Sequence, residues 1–243
     1  MAPGVAAESG PPVESGASMA LRLEGVIKVY READIETVAL RGVDLAVQTG
    51  QFVAIMGRSG SGKSTLLNLI AGSDRPTAGR VVVDEVEIGR ADEAVRARLR
   101  GAQVGLVFQD NNLVPFLDVA ENVTLAGELA GRPADRASID SLLDRVGLTQ
   151  RRRHRPAQLS GGEQQRAGLA CVLAGRPRLL LADEITGELD SISAGLLLDL
   201  LRQLHADEAP TILLVTHDPA VAAVGDRVVE LHDGRVTADR LQA

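Results

Sequence analysis

Apolar positions along the chain fall into short runs with two distinct periods. Leu21, Leu23, Ile27 and Val29 alternate loosely with polar neighbours, which predicts a strand. Val38 to Val47 predicts a second strand, closed by a turn at Thr49-Gly50. Phe52-Val53-Ala54-Ile55-Met56 is apolar throughout, the pattern of a strand covered on both faces. From Lys63 to Ala71 the period lengthens. Leu66, Leu67, Leu69 and Ile70 fit a helix, and Gly72 stops it.

Further along, Val81 to Ile88 reads as a small antiparallel strand pair and Asp92 to Arg100 as a polar helix. Val104 to Phe108 is a strand ending at Gln109. From about Asp118 to Gly147 the pattern is helical, with Ile139, Leu142, Leu143 and Val146 on one face. Another helix opens after Ser160. Leu179 to Ala182 is a buried strand ending in Asp183-Glu184, and a helix from about Ser191 to His205 leads to a strand at Thr211 to Val215. Val228 to Leu231 and Arg235 to Thr237 flank Asp233-Gly234, a hairpin signal. Strands alternating with helices imply a mostly parallel sheet covered on both faces. The helical stretch at about 115–165 interrupts that alternation and is expected to form its own lobe.

Composition narrows the picture. Hydrophobic residues make up 45% of the 243 positions and aromatics only 2%, so the core must be aliphatic. A net charge of −7 argues against a general nucleic-acid binder, which needs a basic surface. Cys171 is the single cysteine, so no intrachain disulfide can form; its place on the helix after Ser160 predicts a core residue. The run Arg151-Arg152-Arg153-His154-Arg155 predicts a solvated loop. Of 26 basic residues only Lys28 and Lys63 are lysines. No apolar run approaches the roughly 20 residues that span a bilayer. Residues 1–18, rich in Ala, Gly, Pro and Ser with no Lys or Arg, are expected to form a disordered tail rather than a secretory signal.

Chemistry concentrates in three places. Gly57-Arg58-Ser59-Gly60-Ser61-Gly62-Lys63-Ser64-Thr65 lies between a strand and a helix. Its glycines let backbone N–H groups curl around phosphates, and the helix adds a positive N-terminus. Lys63 is placed to reach the β- and γ-phosphates of a nucleotide and Ser64 to ligate Mg²⁺. A Gly/Ser-rich turn is the bland alternative, which the strand–loop–helix context disfavours. Asp183-Glu184 ends an apolar strand. Such pairs are often merely solvated, but beside the loop Asp183 would hold Mg²⁺ and Glu184 would act as general base on the attacking water. Leu159-Ser160-Gly161-Gly162-Glu163-Gln164-Gln165-Arg166 contains a capping box, Ser160-x-x-Glu163. It is also an anion site of its own, suited to the γ-phosphate presented by another subunit.

That last segment resembles the signature of ATP-binding-cassette ATPases, and the likeness runs from about residue 20 to the C-terminus in the family's motif order. The resemblance implies an α/β fold: a P-loop NTPase (RecA-like) core with an antiparallel β subdomain and an inserted α-helical subdomain, together spanning residues 19–243. It implies that Ser160, Gly161 and Gly162 close over ATP held by a second copy of the chain. It makes Gln109 the residue sensing Mg²⁺ and water, His217 the switch histidine at the γ-phosphate, Asp190 the residue crossing the dimer interface, and Tyr30 the adenine-stacking aromatic. Read alone, His217 is a structural histidine at a strand end, and Tyr30 a partly buried core tyrosine.

Phe108 to Pro115, Glu121-Asn122-Val123 and Val215 to Pro219 resemble the subgroup serving lipoprotein release, macrolide efflux and cell-division-type permeases. That likeness implies separate integral-membrane permease subunits, a location at the inner face of the cell membrane, and work of export, extraction or mechanotransmission, with ATP and Mg²⁺ as cofactors and no nucleic acid as partner. Three positions depart from the subgroup pattern: Ile185 replaces a usual Pro, Cys171 a usual Arg, and Glu85 a common turn Gly. A soluble cassette ATPase acting on nucleic acid or ribosomes is the competing reading. It is disfavoured by the single cassette, the lack of a heptad array or Cys cluster, and the acidic balance. A nucleotide-bound regulator without turnover is disfavoured by the presence of both Glu184 and His217.

Overall fold

A computed structural model of the protein describes residues 18–33, 35–108 and 113–242. The expected tail at 1–18 lies outside the described residues except for Ser18, and Gln109 lies outside them too. In chain order the elements are β1 (Met19–Glu32), β2 (Ile35–Gln48), β3 (Phe52–Met56), α1 (Lys63–Ile70), β4 (Ala78–Val83), β5 (Val86–Glu87), α2 (Glu93–Ala102), β6 (Val104–Val107), α3 (Val119–Leu129) and α4 (Arg136–Arg145). Then come α5 (Gly161–Ala174), β7 (Leu179–Asp183), α6 (Ser191–Glu208), β8 (Thr211–Thr216), α7 (Pro219–Ala222), β9 (Arg227–His232) and β10 (Arg235–Leu241). Short 3-10 turns occupy Thr149–Arg151 and Pro156–Gln158. No helix among the described residues is long and apolar enough to cross a membrane.

The chain forms two compact units. One holds the described residues up to Arg96 together with those from Thr211 onward; the other is Ala97–Pro210. In the first unit β2-β1-β4-β5 form an antiparallel sheet. Its other strands centre on β3, which is parallel to β8 on one side and to β9 on the other, with β10 antiparallel on β9. Val53, Ala54, Ile55 and Ile212 to Val215 are wholly buried, as the continuous apolar runs require. Phe52 is the largest fully buried side chain in an otherwise aliphatic core. In the second unit β6 runs parallel to β7, with Val107 opposite Ala182.

The structure refines the sequence expectation in three places. The helical stretch after Asp118 breaks in two. Gly131 takes a φ of 70°, Pro133 cannot continue a helical hydrogen-bond ladder, and the Asp135 side chain accepts from Ser138 N–H to start α4. The short α7 has no apolar period to announce it; its signals are the Asp218 cap and Pro219 in its first turn. The arginine run is not simply solvated. Arg151 Nε donates to Glu163 Oε1 at 2.8 Å, and Arg152 pairs with Asp140.

One buried ion pair locks the far end of the first unit. Arg227 donates Nε to Asp239 Oδ1 at 2.6 Å and a second nitrogen to Oδ2 at 2.5 Å, while its remaining nitrogen donates to the Ala46 carbonyl at 2.8 Å. The two side chains are 7% and 10% exposed. Removing the carboxylate leaves a desolvated guanidinium without its counter-charge, so Asp239→Ala is expected to cost about 3–5 kcal/mol in urea unfolding. A loss below about 1 kcal/mol, the level of a solvent-exposed pair, would contradict this account.

Candidate functional site

The parallel pairing of β3 with β8 and β9 sets where the glycine-rich loop begins. Met56 lies opposite Thr216, and Gly57 N–H then donates to the Thr216 carbonyl at 3.2 Å. The loop turns back on itself, with Ser61 N–H donating to Arg58 O at 3.1 Å. Lys63, buried at the start of α1, donates its ammonium to the carbonyls of Gly57 at 2.8 Å and Arg58 at 3.1 Å. The Ser61 hydroxyl is buried with no hydrogen-bond partner in the protein. Ser59, Gly60 and Ser64 are exposed, and Thr65 is half-buried.

Helix α1 differs from the rest in how it starts. Each of α2 to α7 begins with an Asp or Ser side chain accepting a first-turn N–H. The N-cap of α1 is Gly62, which has no side chain to offer. Gly62 is required on two counts. Its φ is 102°, and a Cβ there would lie 2.6 Å from the Ala39 carbonyl oxygen. Helix-end N–H groups left without a side-chain acceptor are what a phosphate needs.

A second support comes from the hairpin between β9 and β10, whose function the sequence did not announce. Asp233 and Gly234 take φ values of 46° and 73°, as a tight primed turn demands. Gly234 N–H donates to Ser61 O at 3.0 Å, and its carbonyl accepts from Arg41 N–H at 2.8 Å. His217 follows β8 directly and is exposed, so the strand pair that launches the loop also brings this histidine next to its start. Asp218 N–H donates to Thr216 Oγ1 at 3.0 Å, and the Asp218 carboxylate caps α7.

Tyr30 lies near the end of β1, 38% exposed. Its hydroxyl donates to Asp74 Oδ2 at 3.0 Å, and Lys28 Nζ lies 4.8 Å from the ring centroid. Burial first, with the Asp74 carboxylate adding to it, pushes the phenol pKa up; a hydrogen bond with Thr65 works the other way. At Asp74 burial opposes ionisation, but hydrogen bonds from Lys28, the Arg75 N–H and Tyr30 outweigh it and hold the carboxyl below its usual range.

In the second unit, Asp183 closes β7 and Glu184 follows with a φ of 49°. A left-handed backbone at a non-glycine residue is strained, and here it falls on the candidate general base. Gly187 N–H donates to Glu184 O at 3.0 Å, so the segment leaves the strand as a tight turn with Ile185 buried. Asp190 caps α6, with Oδ1 accepting from the N–H groups of Ile192 and Ser193 at 3.0 Å each and Oδ2 from the Ser193 hydroxyl at 2.7 Å. The Ser193 hydroxyl, then these N–H groups, lower the Asp190 pKa.

The Ser160 segment packs onto that same helix start. A Cβ on Gly162 would fall 2.8 Å from Ser193 Cβ, which explains the glycine. Leu189 lies against Gly161. The capping box is present: Glu163 N–H donates to Ser160 Oγ at 3.3 Å, and Ser160 N–H to Glu163 Oε2 at 2.9 Å. Arg151 and, after it, the Ser160 N–H hold the Glu163 carboxyl below its ordinary pKa. Arg151 thus neutralises the one negative charge in the first turn of α5. Gln165, which sequence reasoning left out, is buried and donates to the Phe108 carbonyl at 2.9 Å, tying α5 to the end of the segment that leads to Gln109. Burial pushes the Cys171 thiol up to about 12, so it is a packing residue rather than a reactive one.

Similarity to known proteins identifies the family. A family model described as ABC transporter matches residues 40–187. The lipoprotein-releasing system ATP-binding protein LolD of Anaeromyxobacter dehalogenans (strain 2CP-C) is 48% identical over 229 residues, 93% of this chain and 96% of that one. The macrolide export ATP-binding/permease protein MacB of Hyphomonas neptunium (strain ATCC 15444) is 44% identical over 221 residues, 90% of this chain but 34% of that one. Among solved structures, the dimeric post-hydrolysis state of the ATP-binding cassette MJ0796, bound to ADP and Pi, matches with a TM-score of 0.84 at 38% identity, covering 91% of this chain and 98% of that one. Fold and loop together define a P-loop NTPase with an antiparallel sheet and helical parts. The chain belongs to the ABC transporter family, and within it is an ATP-binding subunit and an ATPase.

The Arg151–Glu163 pair has a pH signature. Because the folded-state pKa of Glu163 is lowered, its stabilisation is present above the unfolded carboxylate pKa and is lost as pH falls through the folded value. Arg151→Gln is expected to lose about 0.5–1 kcal/mol at neutral pH. That deficit should shrink in acid as Glu163 protonates. Urea unfolding across the carboxylate range checks this; a deficit independent of pH would contradict it.

Proposed function

We propose that two copies of this chain close on two ATP molecules and drive a separate membrane permease. The observation that carries this reading is that one chain offers two backbone cradles for phosphate: the uncapped start of α1 and the glycine-bearing start of α5. A single nucleotide needs the first from one copy and the second from its partner, so ATP becomes the material that joins them. Closure follows because ATP binds the closed pair better than the open one.

Each residue then has a stated task. Loop backbone N–H groups other than those of Gly57 and Ser61, which bond within the protein, hold the phosphates, and the Lys63 ammonium exchanges its loop carbonyls for phosphate oxygens. The Ser64 hydroxyl and the Asp183 carboxylate are hard oxygen donors of the kind Mg²⁺ takes, and Gln109 is assigned as the third residue for the metal. When bound, Mg²⁺ neutralises charge on the β- and γ-phosphates. Glu184 accepts a proton from the water that attacks the γ-phosphorus, and the bond to the bridging oxygen breaks to leave ADP and phosphate. His217 and Gln109 orient that water and the γ-phosphate. Ser160, Gly161 and Gly162 of one copy bind the γ-phosphate held by the other, and Asp190 bridges the two. Tyr30 stacks on the adenine.

On this reading the chain works at the inner face of the cell membrane, attached through the permease. The permease chooses the cargo, whether the pair exports it, extracts it from the membrane or transmits force.

Glu184→Gln removes the proton acceptor while keeping shape. It is expected to bind ATP as the parent does and to turn over at least about a hundredfold more slowly. An unchanged phosphate-release rate would refute the base assignment. The same variant, tagged and recovered from its native membranes with ATP and Mg²⁺, is expected to bring down an integral-membrane chain. Recovery of ribosomal or DNA-bound proteins instead would favour the soluble cassette reading.

A further inference from the structure

A chain that uses arginine for nearly all its positive charges keeps lysine at two positions, and only Lys63 is accounted for by the phosphate loop. Lys28 is the other. It stands two residues before Tyr30 on β1, so the two side chains share one face of the strand. Lys28 is 9% exposed, and its ammonium serves three directions at once: Asp74 Oδ1 at 2.6 Å, the Arg75 carbonyl at 2.9 Å and the face of the Tyr30 ring. A tetrahedral ammonium can do this, whereas the planar guanidinium fork presents its donors in one plane. The geometry therefore explains why arginine did not replace it here.

Asp74 completes the arrangement. One of its oxygens takes the ammonium, and the other takes the Tyr30 hydroxyl at 3.0 Å. Asp74 is itself fixed, because Oδ1 also accepts the Arg75 N–H at 2.6 Å. The ring is thus held at its hydroxyl end and covered on one face, yet 38% of Tyr30 remains exposed. An ion pair whose task was only to join β1 to the segment after α1 would need no aromatic ring over it.

We infer that Lys28 and Asp74 are positioning residues that clamp the Tyr30 ring as a rigid platform for the purine base of the nucleotide. The inference rests on the base-stacking role proposed above for Tyr30. Clamping lowers the entropy lost when the base lands, because the ring no longer has to be ordered at that moment.

The test measures binding of Mg·ADP and of Mg·pyrophosphate, neither of which is hydrolysed, to the full chain by calorimetry. Tyr30→Ala is expected to weaken ADP by about tenfold and leave pyrophosphate unchanged. Lys28→Arg and Asp74→Asn are each expected to weaken ADP by about threefold to tenfold, again with pyrophosphate unchanged. Two positions are varied so that poor folding of one does not remove the test, and the ratio of the two ligands is independent of the folded fraction. If Tyr30→Ala weakens ADP while both clamp variants bind it like the parent, the platform stands and the clamp is overturned. Equal losses for ADP and pyrophosphate in the clamp variants would also overturn it, since they indicate a general structural role. If Tyr30→Ala leaves ADP binding unchanged, the stacking role itself fails and the clamp with it.

Discussion

A helix start without a side-chain cap is the constraint on which the first unit is built, and much of that unit holds the loop before it in place. A helix start with no side-chain cap offers its first-turn N–H groups no side-chain acceptor, so the loop before α1 is held from outside. The holding comes from three directions. Parallel pairing of β3 with β8 fixes Gly57 against the Thr216 carbonyl, the β9–β10 turn donates to Ser61, and Lys63 draws in the carbonyls of Gly57 and Arg58. The buried Arg227–Asp239 pair in turn secures the hairpin that carries this turn. Strand order, hairpin and ion pair are thus linked to one loop.

The second unit solves a related problem with the opposite means. Its α5 start is capped by Ser160 and carries Glu163 in the first turn, which by itself would oppose an incoming phosphate. Arg151 offsets that charge, and Gly162 brings the segment against Ser193, whose hydroxyl is held by Asp190. The residues assigned to the partner's nucleotide and to the dimer interface therefore form one rigid group within this unit. A change at Asp190 should be felt at the signature segment without any contact to nucleotide. Glu184 sits in a left-handed backbone after β7, so some folding energy is stored where the reaction is assigned.

The sequence exposed what is local. A five-residue apolar run, a glycine-rich loop and a helix in succession, the Asp233-Gly234 turn, and an acidic pair at a strand end all show themselves within a short window. It concealed what depends on distant partners. Asp74 lies 46 residues from Lys28, and Gln165 lies 57 from the Phe108 carbonyl it binds, so neither pairing leaves a period or a motif. Similarly, the turn that steadies Ser61 belongs to a hairpin near the other end of the chain. The helical stretch after Asp118 carries apolar positions on both sides of Gly131 and Pro133, but the backbone breaks between them. The scarcity of lysine was visible from the start, but its meaning at Lys28 needed three acceptors in space.

The central claim is that the signature segment of one copy completes the ATP site of another. The most direct test is the solution mass of the hydrolysis-impaired Glu184→Gln chain with ATP and Mg²⁺, alone and with Ser160→Arg added. The account predicts a mass that doubles with ATP, stays monomeric with ADP, and stays monomeric with ATP once Ser160→Arg fills the cradle, although that variant still binds ATP. A chain that remains monomeric with saturating ATP, or that dimerises equally well with Ser160→Arg, would contradict it.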